Sequence, residues 1–213
     1  MNITAKEFID YFKQVVEVME EERDYLCELD RKLGDGDHGV TMSIGWQAIK
    51  EQLTNELAEE TDCGKISSTI GMTFLNAVGS SVGPLYATGF LRGGKVLRNK
   101  SVLTDRDLSE FWIAFGNGVK ERGKAKVGDK TMIDTLEPVV KVLEEKFSET
   151  EDFLSAFRHA VSAGEEGMKS TIDIVSKIGR SSRLGERSKG AQDPGATSAY
   201  LILFTFLTFI EKR

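Results

Sequence analysis

Apolar residues recur at three- and four-residue intervals along nearly the whole chain. Phe8, Tyr11, Phe12, Val15 and Met19 form one such stripe; Leu108, Phe111, Trp112, Phe115 and Val119 form another. Leu136, Val139, Val140, Leu143 and Phe147 repeat the spacing, as do Phe153, Ala156, Phe157, Ala160 and Gly164. Shorter stripes run through Met42, Trp46, Ile49 and Leu53 and through Ile66, Ile70, Phe74 and Ala77. This period places each set on one face of an α-helix, and no strand-length segment alternates cleanly between apolar and polar residues. The expected fold is therefore all-α, with about eight helices packed antiparallel through short connectors. Start signals agree with that count. Thr4 with Glu7 reads as a capping box, Thr104 precedes Asp107, and Pro84 suits the first turn of a helix after Gly83. The most apolar stretch, Tyr200 to Ile210, is broken by Thr205 and Thr208 and is shorter than a bilayer span, so it reads as a buried helix and no membrane partner is expected.

Composition narrows the function. No linker or composition shift divides the 213 residues, which suggests one domain over 1–213. Lys and Arg total 28 against 34 Asp and Glu, a net charge of −6, and without a dense basic run the electrostatics argue against a nucleic-acid partner. Cys27 and Cys63 are spaced for neither a redox pair nor a zinc site, which suits a reducing cytoplasm. The start of the chain has no basic segment followed by an apolar run, so no export signal is expected.

The chemistry is expected in the polar, glycine-dense connectors. Asp30, Asp35 and Asp37 fall within eight residues, interleaved with Gly34, Gly36 and Gly39, so a sharply bent backbone can gather three hard oxygen ligands. That donor set favours Mg²⁺, which usually shares one or two carboxylates with substrate phosphates. His38, Gly39, Val40 and Thr41 follow at a helix start, where free N–H groups and the dipole favour phosphate. Gly79, Ser80 and Ser81 form a small-residue connector able to cradle phosphate oxygens, although no Walker-type lysine follows. In the connector from Gly123 to Asp134, Asp129 reads as a helix N-cap, while Gly123 and Met132 could face a nucleobase. The last connector, Gly179 to Thr197, brings Arg180, Arg183, Arg187 and Lys189 together, and Asp193-Pro194-Gly195 forms a turn able to line a base or ribose. Arginine there can grip phosphate and stabilise charge on a transferring phosphoryl group. A triphosphate of about four negative charges can share a site with three carboxylates only if cations intervene; two Mg²⁺ and one arginine roughly offset them.

Taken in order over nearly the whole chain, these four segments resemble the nucleotide-binding L subunit of dihydroxyacetone kinase, of the phosphotransferase-linked type. The resemblance implies an eight-helix antiparallel up-and-down barrel with the nucleotide at one rim. It implies that Asp30, Asp35 and Asp37 hold two Mg²⁺, that His38 to Thr41 and Gly79 to Ser81 contact phosphates, and that Gly123 and Met132 lie near the base. Arg180 and Asp193 to Gly195 complete the pocket, with Arg180 as the catalytic candidate. It further implies ADP or ATP as the bound nucleotide, a K subunit carrying dihydroxyacetone, and a phosphohistidine M subunit that rephosphorylates ADP in place. The chain departs from the family pattern at Arg183, Lys189 and Ala191, in the loop expected to cover the nucleotide or face partners. Two other readings fit a Mg²⁺–nucleotide pocket on a helical scaffold. One is an all-α nucleotide pyrophosphatase, whose paired helical glutamates are not continued here downstream of Glu20, Glu21 and Glu22. The other is a nucleotide-sensing adaptor that docks onto a regulator.

Overall fold

The computed structural model describes residues 1–213. Its nine α-helices are α1 (Ala5–Glu21), α2 (Arg23–Arg31), α3 (His38–Thr54), α4 (Cys63–Ala77), α5 (Val82–Val96), α6 (Asp105–Gly123), α7 (Ile133–Thr150), α8 (Phe153–Ser170) and α9 (Pro194–Glu211). Eight of them form a closed ring in which α1 neighbours α3, each later helix neighbours the next, and α9 returns to α1. Successive members run antiparallel, although the link from α1 to α3 contains α2 and the link from α8 to α9 runs from Thr171 to Asp193. The ninth, α2, packs on α3 and α9 outside the sequence of the ring. It separates from α1 at Glu22, and its last turn carries Asp30.

The helices start where their caps predict. Thr4 and Thr104 each accept from the N–H three residues on, while Glu7 and Asp107 reach back to the cap backbone. Pro84 lies inside the first turn of α5, which begins at Val82. Two three-residue strands that the periodicity does not reveal, β1 (Asn2–Thr4) and β2 (Val102–Thr104), pair antiparallel immediately before α1 and α6. They belong to the end of the ring opposite the four polar connectors, which follow α2, α4, α6 and α8.

One cluster of 47 buried apolar residues fills the ring. Its centre is aromatic. Tyr11 meets Phe206 edge-on at 4.8 Å between centroids, Trp112 meets Phe206 at 5.3 Å, and Phe90 meets Phe115 at 4.9 Å. Edge-to-face contacts of this kind add to the area they bury, and they lock α1, α5, α6 and α9 into one rigid frame. The apolar C-terminal stretch belongs to a longer helix than its sequence pattern suggests. The 18 residues of α9 meet the length and hydropathy of a membrane span, yet most of that window is buried inside the ring, with Ile202, Leu203, Phe206 and Ile210 in the core.

Candidate functional site

The acidic connector folds around a side chain from the preceding helix. Asp30, on the last turn of α2, accepts from the main-chain N–H of Asp37 at 2.9 Å and of His38 at 3.1 Å. Two of the unpaired amides at the start of α3 are thereby satisfied from another helix. Asp37, at the N-cap position, makes no side-chain cap bond. Gly36 turns the loop at φ 78°, a left-handed conformation in which a side chain would be strained. The result brings carboxylate oxygens of Asp30, Asp35 and Asp37 within 4.8 Å of one another. Like charges at that spacing call for a cation. The Arg180 guanidinium bonds to Asp35 and lies 3.3 Å from Asp37. All the donors are carboxylate oxygens, two of the groups half open to solvent, which fits Mg²⁺ and fits zinc poorly.

Beside this cluster lies a cavity of about 460 Å³ between α2, the start of α5, the end of α6 and the connectors before α7 and α9. Asp30, His38, Ser81, Gly123, Met132 and Arg180 line it, as does the turn Asp193-Pro194-Gly195. Asp35 and Asp37 join its edge through Arg180. Gly39, Val40, Thr41, Gly79 and Ser80 lie off its wall. For Gly39 the reason is packing: a Cβ there would collide with the Arg23 carbonyl and stand 2.8 Å from the Cys27 sulfur, so this glycine lets α3 approach α2. The N–H groups of Gly39 and Val40 nevertheless have no acceptor, whereas that of Thr41 is committed to the Asp37 carbonyl at 2.9 Å. Gly79 is open on its Cβ side, and the Ser80 hydroxyl is buried without a hydrogen-bond partner.

The His38 ring is buried against polar partners from two other helices. Its Nε2 is 3.0 Å from the Ser198 hydroxyl, which in turn is 2.8 Å from the Tyr86 hydroxyl. Burial pushes its pKa down to about 4, against the opposing pull of Asp30, so the imidazole is neutral near pH 7. Asp193 is the N-cap of α9 and accepts from the Ala196 N–H at 2.7 Å. Burial pushes its carboxyl up to about 7; the Ala196 N–H bond opposes this, nearby Asp134 adds to it, Lys130 opposes it and Asp30 adds.

The turn before α7 is built differently from its sequence reading. Asp129 is not the N-cap; α7 begins at Ile133, and Asp129 instead accepts from the Lys126 N–H at 3.0 Å. Asp134, buried inside the first turn, accepts from the N–H of Gly128 at 2.6 Å and of Thr131 at 2.7 Å. Lys130 is a site residue that the sequence does not mark. It lines the cavity yet is only 1% exposed, and a lysine between Gly128 and Thr131 gives no sequence signal of burial. Leu33, Leu85 and Ile178 add further apolar wall, and no functional motif singles them out.

Comparison with known proteins bears on the family and the fold. The family model described as the DAK2 domain matches residues 32–208. The chain is 36% identical over 203 residues to the ADP-binding subunit DhaL of the PEP-dependent dihydroxyacetone kinase of Escherichia coli, covering 95% of this chain and 96% of that one. It is 37% identical over 195 residues to an ADP-binding subunit of PEP-dependent dihydroxyacetone kinase 2 from Listeria innocua, covering 92% and 90%. A PTS-dependent counterpart from Lactococcus lactis is 32% identical over 208 residues, covering 98% and 99%. The solved dihydroxyacetone kinase of C. freundii in complex with AMP-PNP and Mg²⁺ has the same fold, with a TM-score of 0.70 at 22% identity; the match covers 94% of this chain and 33% of that longer one. Matched over most of its length to the family model and over nearly all of it to the ADP-binding subunits, this chain belongs to the DAK2-domain family.

Proposed function

We propose that residues 1–213 form a single nucleotide-binding unit, the ADP/ATP-holding subunit of a dihydroxyacetone-type kinase. In this reading the chain presents the terminal phosphoryl group of a Mg-nucleotide to dihydroxyacetone, or a related small ketose, held on a separate K subunit. The observation that carries it is the convergence of Asp30, Asp35 and Asp37 with Arg180 at the mouth of the 460 Å³ cavity. The near full-length likeness to ADP-binding subunits of PEP- and PTS-dependent kinases supports the same reading.

Asp30, Asp35 and Asp37 would hold two Mg²⁺, which when bound neutralise charge on the phosphate oxygens. Arg180 then leaves the carboxylates for the phosphoryl group, where a guanidinium stabilises charge as it develops. The unpaired N–H groups of Gly39 and Val40 and the Ser81 hydroxyl at the cavity wall supply neutral donors to phosphate. Met132, with Gly123, gives the base an apolar face, and the Asp193-Pro194-Gly195 turn closes the far side. Neutral His38, fixed by Ser198, orients the start of α3 without adding charge. A phosphohistidine M subunit would recharge the bound ADP, in the cytoplasm where such a donor operates.

The test is reconstitution of the purified chain with K-type and M-type partner subunits, phosphoenolpyruvate and the phosphotransferase proteins. Dihydroxyacetone phosphate should form with ADP present only in amounts equal to the subunit. Product formed equally well without this chain, or rapid release of pyrophosphate from free ATP, contradicts the proposal.

A further inference from the structure

Lys130 is a buried ammonium that the phosphoryl-transfer reading does not use. Its backbone is left-handed at φ 63° and its side chain is almost wholly enclosed. The Nζ donates to the Thr171 carbonyl at 2.5 Å and to the Ala191 carbonyl at 2.6 Å. Those two carbonyls stand at opposite ends of one stretch of chain. Thr171 follows α8, Ala191 lies just before the N-cap of α9, and the residues between them include Arg180.

Burying an ammonium is costly unless its charge and donors are met. Desolvation lowers its pKa, and besides the two carbonyls the carboxylates of Asp193, Asp134 and Asp173 act to keep it charged. What the fold gains is control of a segment that its core does not hold. None of residues 172–190 belongs to the apolar cluster that fills the ring. The segment is instead tied at its neck by polar bonds: Gly190 N–H to the Ile172 carbonyl at 2.8 Å, Asp193 N–H to the Thr171 hydroxyl at 3.0 Å, and Lys177 N–H to the Asp129 carbonyl at 3.1 Å. Within it, the Ser176 and Ser181 hydroxyls meet at 2.6 Å, and the Ser188 hydroxyl accepts from the Ser176 N–H at 2.9 Å. Beyond the neck, the segment grips the ring through the Arg180 pairs with Asp35 and Asp37.

We propose that Lys130 is the positioning residue for Arg180: one buried ammonium, bonded to both ends of the 172–190 segment, sets how that segment presents its guanidinium to the bound nucleotide. This role rests on the nucleotide-holding reading above. Removing the ammonium leaves the buried Ala191 carbonyl unpaired and the Thr171 carbonyl with only the Ile174 N–H at 3.4 Å, which opens the neck, so the guanidinium loses its fixed starting point.

The full-length chain is compared as wild type, Lys130→Met, Lys130→Arg, Arg180→Ala and the double variant Lys130→Met with Arg180→Ala. Trypsin cleavage after Arg183 and Arg187, followed by mass spectrometry, reads the segment; calorimetry with Mg-ADP reads the site. Lys130→Met should speed cleavage at those two positions and weaken Mg-ADP by about tenfold each, the consequence of orphaning one buried acceptor and leaving the other with a single long bond. Lys130→Arg should recover part of both. In the Arg180→Ala background the further loss of affinity from Lys130→Met should shrink below about twofold, because coupled residues are non-additive. Unchanged cleavage and affinity in Lys130→Met, or full additivity in the double variant, overturns the proposal. Should Lys130→Met fail to fold, the wild-type ¹⁵N spectrum must show a slowly exchanging lysine ammonium that Lys130→Arg removes; its absence also overturns it. Wild-type protein that binds no Mg-ADP counts against the nucleotide reading, while the cleavage contrast still decides the role of Lys130 in the segment.

Discussion

Asp30 and Asp35 belong to the same carboxylate cluster but do different structural work, so replacing each with alanine separates folding from ligand binding. Asp30 accepts two main-chain N–H groups at the start of α3. Hydrogen bonds to a charged acceptor contribute about 1.5–3 kcal/mol each, so the pair is worth about 3 kcal/mol or more. Removing one of three carboxylates whose oxygens lie within 4.8 Å returns about 1 kcal/mol of repulsion at water-like screening. The net cost of Asp30→Ala is then about 2 kcal/mol, or about 4–8 °C in Tm for a chain of this size. Asp35 is about half exposed and its only ionic partner is the similarly exposed Arg180. That pair contributes at most about 1 kcal/mol, which the relief of repulsion offsets. Asp35→Ala should therefore leave the Tm of the nucleotide-free protein within about 2 °C of wild type while abolishing Mg-ADP binding. Asp30→Ala should lose both stability and binding. Thermal melts without nucleotide, paired with calorimetry, make the comparison. Equal destabilisation by the two variants, or an Asp30→Ala melt unchanged from wild type, contradicts this division of roles.

Gly39→Ala should destabilise by about 3 kcal/mol or fail to fold, because its Cβ meets the Arg23 carbonyl, while Gly79→Ala, with nothing within 4 Å of the added carbon, should be near neutral in urea unfolding; equal effects would contradict the packing role of Gly39. Because burial holds the folded His38 pKa near 4, below the ordinary 6.5, only the unfolded chain takes up its proton as pH falls through that window. Stability of the nucleotide-free protein should thus be independent of this group above pH 6.5 and fall by about 3 kcal/mol toward pH 4, with a shallower slope in His38→Gln; parallel slopes would remove the histidine from the explanation. Both cysteines are buried, and burial with nearby Asp62 pushes the Cys63 thiol up to about 12, so iodoacetamide at pH 8 should label Cys63 only as fast as the protein unfolds; prompt labelling of folded protein would refute its burial.

The scaffold is legible in the sequence because its physics is local and repeated. Stripes such as Phe8 to Met19 and Leu108 to Val119 bury one face each, and the capping boxes at Thr4 and Thr104 mark the starts of their helices. The two short strands are not legible, since three residues cannot establish a period of two. Helix α2 leaves no stripe for a related reason: it has nine residues, and only Leu26, Cys27 and Leu29 are buried in it.

The site is half legible for a different reason. Asp30, Asp35 and Asp37 announce themselves because hard ligands and glycines that share one bend lie close in sequence, and the structure gathers them with Arg180. Gly39 carries the same sequence signal whether a backbone approaches phosphate or a neighbouring helix, and only the structure shows that the place of its missing side chain is taken by α2. Asp129 reads as the cap of α7, yet the helix begins at Ile133 and Asp134 in its first turn holds the preceding amides, because the turn has left-handed residues, Gly128 and Lys130, that become visible only in three dimensions. Lys130 is hidden because its partners are main-chain carbonyls at Thr171 and Ala191, and carbonyls leave no mark on sequence.

The nucleotide-holding role requires that the three aspartates grip their ligand through divalent cations. Calorimetric titration of the wild-type chain, freed of nucleotide, with ADP in the presence and absence of Mg²⁺ is the decisive measurement. One ADP should bind per chain with Mg²⁺, none measurably after chelation, and none to Asp35→Ala under either condition. Equal ADP affinity with and without the metal, or wild-type affinity in Asp35→Ala, would show that the carboxylates do not act through a cation.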